Sequence, residues 1–266
     1  MPLRHLPTCV LLLAALPALG QWQDYERMTR ESLLATLAAT PPGRAPELRA
    51  KNCAELDLRG VDFRGANLSA SVFNGANLAH AHLEHVNLTV AFLEKSDLTA
   101  ALLEGAVLFS VQLADARLPG ADLSGARLIG NLRRADLTNA NLAHVQGAAD
   151  MKNQSMGLMR TDLTSAHAAG ADFSAADFSR ADFSFADLSG ARLIGTKLVR
   201  ADLGGATLAH ANLTDADLRE ALLIDTDFSH ADLTRADFTG ATFRGTRGLE
   251  TANTAGARGL PDGAAQ

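Results

Sequence analysis

A large apolar residue recurs at every fifth position over most of this chain, and few folds can accommodate such a period. From Cys53 to Leu142 these residues, called centres below, follow one another in steps of five, with one step of four after Leu128. A second run extends from Leu163 to Phe243, and 34 of the 36 centres are Leu or Phe. Five matches neither the 3.6-residue period of a helix nor the two-residue period of a strand. The chain must therefore turn after each short segment.

The residue two positions before each centre is small, and it is Ala in 25 of the 36 cases. Residues two apart point to the same face of an extended segment, so the small residue and the centre should both face inward. The two residues after each centre are rich in Gly, Ser, Thr, Asn and Asp, which favour corners. Four such sides close a coil of about twenty residues, and stacked coils pair their backbones about 4.8 Å apart.

Several segments carry one five-residue motif in nearly identical form: ANLSA at 66–70, ADLSG at 121–125, ADLGG at 201–205, ANLTD at 211–215 and, with Phe at the centre, ADFSR at 176–180. The stretch from Lys51 to Gly245 resembles the pentapeptide-repeat family, whose motif is A(D/N)LXX. The resemblance implies an all-β solenoid, a right-handed quadrilateral parallel β-helix. The 36 centres would make about nine coils and a rod roughly 40 Å long.

The first twenty residues are typical of a secretory signal peptide. Arg4 and His5 form a short basic start, residues 8–19 are apolar, and Ala18 and Gly20 place small residues before a cleavage point. Twelve apolar residues are too few to span a bilayer as a helix, so no transmembrane span should remain after cleavage. We therefore expect the mature chain to begin at Gln21 and to be exported, to the periplasm or the extracellular space.

The remaining segments differ from the repeats in composition. Residues 21–50 carry apolar residues at helical spacing before Pro41 and predict a helix that caps the open end of the solenoid. The repeats then occupy 51–142 and 158–245. Residues 143–157 lose the pattern and predict an irregular loop or insertion, and residues 246–266 predict a C-terminal tail.

No motif in the chain indicates catalysis or a cofactor. The sequence contains no glycine-rich phosphate loop, no GxSxG and no HExxH, so we expect a protein that is not an enzyme and binds no cofactor. Asp or Asn precedes 22 of the 36 centres, a regularity that marks these side chains as scaffold. His80, His82 and His85 are the one cluster that could ligate a metal, but we expect them to be solvated corner residues and predict no metal site.

Two surface features depart from the motif. Large apolar residues replace Asp or Asn, or lie at corners, within two neighbouring coils, and they predict a partner-binding patch unless the N-terminal helix or the 143–157 segment covers them: Val72, Val90, Phe92, Leu102, Val107 and Phe109. Arg160, Arg180 and Arg200 are spaced by twenty residues and predict a basic ladder along one edge, with Glu220 as the next rung.

Two functions of different classes fit these features. The first is an exported structural module that binds an unknown protein partner, with self-association possible. The second is a cytoplasmic DNA mimic that regulates a type II topoisomerase, a role that the family resemblance implies for some members. The formal net charge of -6 is modest, and it predicts no binding of nucleic acid. A leader peptide and an arginine ladder also favour the exported module.

Overall fold

Parallel bridges between residues about twenty positions apart organise the whole repeat region. The computed structural model describes residues 24–41, 43–149 and 159–262. The bridges form four columns, and each column is one side of the coil. Each side is named after a residue near its start: Asn52, Asp57, Asp62 or Asn67. The Asn52 side, for example, contains Asn52, Val72, Phe92, Gln112, Asn131, Asp162, Asp182, Asp202, Leu222 and Thr242.

Regular elements are few and short because each side of the coil is only a bridge or two long. They are β1 (Glu26–Arg27), α1 (Arg30–Ala39), β2 (Lys51–Asn52), β3 (Val107–Gln112), β4 (Arg127–Asn131), β5 (Leu222–Ile224) and β6 (Thr242–Arg244). The strands pair in parallel as β1–β2, β3–β4 and β5–β6. The N-terminal strand thus extends the Asn52 side by one rung before the first repeat.

The helix α1 lies between that first rung and the repeats. Thr29 caps it, since the Thr29 hydroxyl accepts from the Ser32 amide at 3.1 Å while the Ser32 hydroxyl accepts from the Thr29 amide at 3.0 Å. Leu33 is fully buried in the same apolar cluster as Leu48 and Cys53. The helix therefore contributes its apolar residue to the core of the first coils.

The core consists of the centres and of the small residues two positions before them, as the sequence predicted. Phe173, Phe178 and Phe183 are fully buried on three successive sides, and their rings pack edge-to-face at centroid distances of 5.5 to 6.0 Å. Where a hydroxyl replaces the small residue it is satisfied internally. The buried Thr161, for example, donates to the carbonyl oxygens of Leu128 and Gly147, each at 2.8 Å.

The corners adopt a left-handed backbone, and the residue before each centre stabilises the turn. Asp172 shows the arrangement, because its Oδ1 accepts from the amide of Ser174 at 2.9 Å. The same contact recurs at Asp122 with Ser124. The acidic residues of the motif are thus turn-forming scaffold.

The regular ladder extends further than the repeat pattern indicates. Val145 is buried and Gln146 bridges both Arg127 and Asp177, so the coil continues to Ala149, inside the segment predicted to be irregular. Gly147 takes the place of a centre there, which hid this turn in the sequence. Residues 150–157 and the predicted leader, 1–20, lie outside the described residues.

The predicted C-terminal tail also continues the ladder. Arg247, Asn253 and Arg258 bridge Asp227, Asp232 and Asp237 of the preceding coil. The spacing between partners changes from twenty to twenty-one residues after Arg247. That extra residue removed the five-residue period and made this turn look like a tail.

Candidate functional site

One edge of the solenoid, the corner that leads from the Asn67 side to the Asn52 side, collects most departures from the repeat. It is called the interrupted edge below. Its corner positions include Val90 and Ser110 in the first half of the rod and Arg160, Arg180 and Arg200 in the second half. Their backbones join successive rungs, as in the bond from the Val90 amide to the Phe109 carbonyl at 2.8 Å.

The coil geometry itself changes at this edge. The pairing of β3 with β4 shifts register between Phe109 and Val111, because the step of four after Leu128 shortens the coil by one residue. A side chain at Gly130 would clash with the Val111 carbonyl, so only glycine fits. The bridged partners Asn131 and Asp162 are also farther apart in sequence than the partners of other rungs, and the additional residues enter the chain between Ala149 and Met159, at the same edge.

An open cleft marks the place where these irregularities meet. Its polar lining includes Arg160, Asp162 and Gln112, and Ile129 and Met159 add an apolar part. The Arg133 guanidinium lies 3.3 Å from the Asp162 carboxylate, and the Asn131 amide donates to Gln112 at 3.2 Å. The cleft combines polar and apolar groups, as protein-binding surfaces do.

The six apolar residues predicted as one patch do not form a single surface. Val72 is 1% exposed, flanked in its column by Asn52 and Phe92, and is a packed residue. Leu102 is 37% exposed but belongs to the Asp62 side, away from the interrupted edge. The prediction of a contiguous patch is therefore wrong for these two residues, because Val72 is covered and because Leu102, half a coil after Phe92, lies on the opposite side of the rod. The other four lie at or beside the interrupted edge and are half-buried: Val90, Phe92, Val107 and Phe109.

The three arginines stand in register along the interrupted edge, but two of them are already paired. The Arg160 Nη2 lies 2.6 Å from Asp182 Oδ2, and the Arg200 Nε lies 2.6 Å from Glu220 Oε2. The hydrogen bond from Arg200 lowers the pKa of Glu220. Among the described residues, Arg180 has no ion-pair partner. On this ladder, therefore, the Arg180 guanidinium is available to bind a ligand.

Val90 has a strained backbone. Its φ is 59°, in the left-handed region that β-branched residues rarely adopt. The other described corners with comparable angles carry Gly or residues that are not β-branched, such as Ala, Ser, His, Arg and Glu. A conformation of this kind costs about 1–2 kcal/mol for a residue other than Gly, Asn or Asp. Such strain is a reason to look for function at that position.

Phe185 is an exposed aromatic residue that the sequence reasoning missed. It is 70% exposed, occupies a corner with φ of 60°, and its ring covers Gly205 on the next rung. The signal was available, because the corner position two residues after a centre rarely carries a large apolar residue in this chain. Leu222 on the Asn52 side is also exposed, at 40%.

The predicted histidine cluster brackets the Asp62 side of one coil. His80 and His85 are exposed at its two corners, and the His82 Nδ1 lies 3.3 Å from Glu84 Oε1. Over residues 24–41, 43–149 and 159–262, no group of three or more His, Cys, Asp or Glu side chains could hold a metal ion. These three histidines therefore do not converge on one site.

Several carboxylates of the sides are neutralised by cations one rung away. Arg192 lies 3.2 Å from Asp172, and Lys197 lies 3.7 Å from Asp177. On a corner, the hydrogen bond from Arg235 lowers the pKa of Asp215. The Asn52 side differs, because Asp162, Asp182 and Asp202 follow one another there, and Arg133 and Arg160 pair with the first two.

The family model of pentapeptide repeats matches the sequence in eight copies, and these copies cover residues 52–89, 91–125, 106–142, 158–193, 186–223 and 211–247. The matches together span more than half of the chain. This protein belongs to the pentapeptide repeat family. The four ladders of this pentapeptide repeat protein agree with the right-handed quadrilateral β-helix of the family.

Solved structures of similar proteins come from cyanobacteria, plants and a resistance plasmid. HetL of Nostoc sp. strain PCC 7120, involved in heterocyst differentiation regulation, is 30% identical over 85% of this chain and 96% of its own, with a TM-score of 0.31. QnrB1, a plasmid-mediated fluoroquinolone resistance protein, is 15% identical over 71% of this chain and 84% of its own, with a TM-score of 0.35. A protein of the Arabidopsis thaliana thylakoid lumen is 25% identical over 52% of this chain and 71% of its own, with a TM-score of 0.21.

The comparison with curated proteins found no match. Within the described part of the chain, no helix has the length and apolar character needed to cross a membrane.

Proposed function

We propose that this pentapeptide repeat protein is an exported, non-enzymatic binding module that recognises a protein partner along its interrupted edge. In this proposal about nine coils form a rigid rod, and α1 closes its N-terminal end. The signal-peptide pattern of residues 1–20 supports export. The four ladders of backbone bonds support rigidity, because each coil is held by its neighbours on every side.

The observation that carries the proposal is the strained, half-buried Val90 on the edge where the coil geometry is interrupted. Apolar Phe109 and Val107 lie beside it on the preceding side, and Arg180 carries an unpaired charge further along. At the other described corners the rod uses Gly or residues without a β-branch, and Gly, Asn or Asp would adopt the left-handed backbone most readily. Because a β-branched residue costs stability at this corner, we infer that the Val90 side chain serves binding and not folding.

The alternative, DNA mimicry directed at a type II topoisomerase, receives less support from the surface. A DNA mimic needs a run of carboxylates without compensating cations. Here Asp172, Asp177 and Asp215 each have a basic residue on the next rung. The basic residues of the interrupted edge would also repel a DNA-binding surface.

Export is tested at the N-terminus of the protein purified from its native host. Mass spectrometry of the periplasmic and secreted fractions should find a chain that begins at Gln21. A cytoplasmic chain that retains residues 1–20 would contradict export and favour the topoisomerase alternative.

The binding edge is tested by photo-crosslinking and by the variant Val90→Asn. A photoreactive residue at Arg180 should give discrete crosslinks in native cells, while one at His144, on the neighbouring edge between the Asp62 and Asn67 sides, should give none. Val90→Asn should keep or raise the melting temperature, because Asn tolerates the left-handed backbone, and should abolish the crosslinks. Equal crosslinking at His144, or unchanged crosslinking in Val90→Asn, would refute the assignment of the edge.

A further inference from the structure

His210 and His230 are stacked on a different edge of the rod, the corner that leads from the Asp57 side to the Asp62 side. They follow the bridged pair Thr207 and Asp227 and are therefore one rung apart in register. Both side chains are exposed. Their ring centroids are 5.1 Å apart, and the ring planes are within 18° of parallel.

The backbone holds this pair at a fixed separation. The His210 amide donates to the Ser229 carbonyl at 2.9 Å, and the His230 amide donates to the Thr251 hydroxyl at 3.1 Å. Both residues have the left-handed corner conformation, with φ of 60° and 57°. The preceding rung of the same corner is Gly190, which has no side chain to obstruct approach to the imidazoles.

We propose that His210 and His230 together chelate one late first-row divalent cation, such as Cu²⁺, Ni²⁺ or Zn²⁺. Neutral imidazole nitrogen is a ligand that these ions prefer. Metal–nitrogen bonds of about 2.0–2.1 Å at a tetrahedral ion place two nitrogens roughly 3.4 Å apart. In this proposal the two rings, whose centroids are 5.1 Å apart in the metal-free protein, turn about their side-chain bonds so that one nitrogen of each reaches that separation.

Two protein ligands make this an open and reversible site. No third His, Cys, Asp or Glu among the described residues converges with the pair, so water completes the coordination sphere. The affinity should follow the order Cu²⁺ above Ni²⁺ and Zn²⁺. A bound ion would join two successive coils at one corner and stabilise the folded rod.

The other exposed histidines lack this arrangement. His80 occupies the same corner as the pair, but Ala100 lies on the next rung. His144 lies on another corner, and Ala175 follows it there. The chelating pair thus requires two histidines one coil apart on the same corner. Neither His80 nor His144 has a histidine on the next rung.

The test uses the full mature chain without an affinity tag. Calorimetry near neutral pH measures the binding of Cu²⁺ or Ni²⁺, and electron paramagnetic resonance identifies the atoms that ligate Cu²⁺. The protein should bind one ion per chain with two-nitrogen hyperfine structure. His210→Ala and His230→Ala should each weaken binding by tenfold or more and remove the two-nitrogen signal. His80→Ala and His144→Ala should leave both unchanged.

A gain-of-site variant makes the test independent of loss by unfolding. Ala100→His places a second imidazole one rung from His80 and should raise the stoichiometry to two ions per chain. The proposal is overturned if His210→Ala binds as tightly as the parent chain, if His80→Ala weakens binding equally, or if the ion is bound only between two chains in a metal-dependent dimer detected by light scattering.

Discussion

Replacing Gly147 with alanine should destabilise the rod, although Ala serves as a centre elsewhere, at Ala168. Gly147 takes the place of a centre, and its backbone does not have the positive φ that only glycine favours. An added Cβ would lie 2.5 and 2.6 Å from two ring carbons of Phe178, closer than carbon atoms approach one another. Phe178 cannot easily retreat, because its ring is packed against Phe173 at 5.5 Å and Phe183 at 5.6 Å.

The expected magnitude combines two opposing effects. Replacing glycine with alanine at a compatible backbone gains about 0.4–1 kcal/mol, because the unfolded chain loses freedom. Overpacking a rigid core costs about 1–3 kcal/mol. The net destabilisation of Gly147→Ala should therefore be about 1.5 kcal/mol. In a Phe178→Leu background the clashing ring is absent, so the same substitution should be neutral or stabilising.

Urea denaturation of the parent, the two single variants and the double variant gives the coupling between the two sites. We expect a coupling of roughly 1.5–2.5 kcal/mol, within the range known for residues in contact. Gly204→Ala is the matched control, because its Cβ would lie 3.1 Å from the Asp202 carboxylate and at an ordinary contact distance of 3.8 Å from the Ile224 carbonyl, with no ring in the way. A higher midpoint for Gly147→Ala in the parent, or the same change in both backgrounds, would refute this account of the packing.

Two further predictions concern titratable groups. Burial raises the pKa of Cys53 to about 12, so a disulfide reagent near pH 8 should modify no Cys53 in the native protein and all of it in denaturant. The hydrogen bond from Arg59 lowers the pKa of Asp57 to about 2, so the stabilisation from this pair is present above pH of about 4 and is lost as the pH falls towards 2. Asp57→Asn should remove part of the fall in melting temperature between about pH 4 and about pH 2. Since the pair is exposed, the substitution should change stability at pH 7 little. A melting temperature that falls between about pH 4 and about pH 2 as steeply in the variant as in the parent would contradict this prediction.

The solenoid was predictable because every side of every coil repeats the same pattern, a small inward residue followed two positions later by a large inward residue. Phe178 and Ala176 are buried where the period places them, and His210 and His230 are stacked where a twenty-residue coil puts them. The position of the basic ladder followed from the same count. Predictions of this kind need only the repeat length and the rule that residues two apart share a face.

Predictions failed where one residue of the repeat changed size or where the step length changed. Gly147 conceals a regular side, because the space of the missing centre is filled by Phe178 from another coil, and no local pattern reveals that compensation. The extra residue between Arg247 and Asn253 concealed a further turn of coil. The burial of Val72 was not predicted either, because the motif points this position outward.

The same regularity decides where function should be sought in such a rod. Asp and Asn at the motif position hold corners together, as Asp172 does, so their abundance carries no information about a ligand. A residue that costs stability relative to its equivalents on other rungs is informative, because drift would replace it with a better corner residue. Val90 meets that criterion through its backbone strain, and Phe185 meets it through both strain and exposure. Val90 and Phe185 lie at the two edges of the Asn52 side, so a partner that contacts both must cross that side of the rod. Such a partner would bury the carboxylates of Asp162 and Asp182. Burying them costs little, because Arg133 and Arg160 already neutralise them.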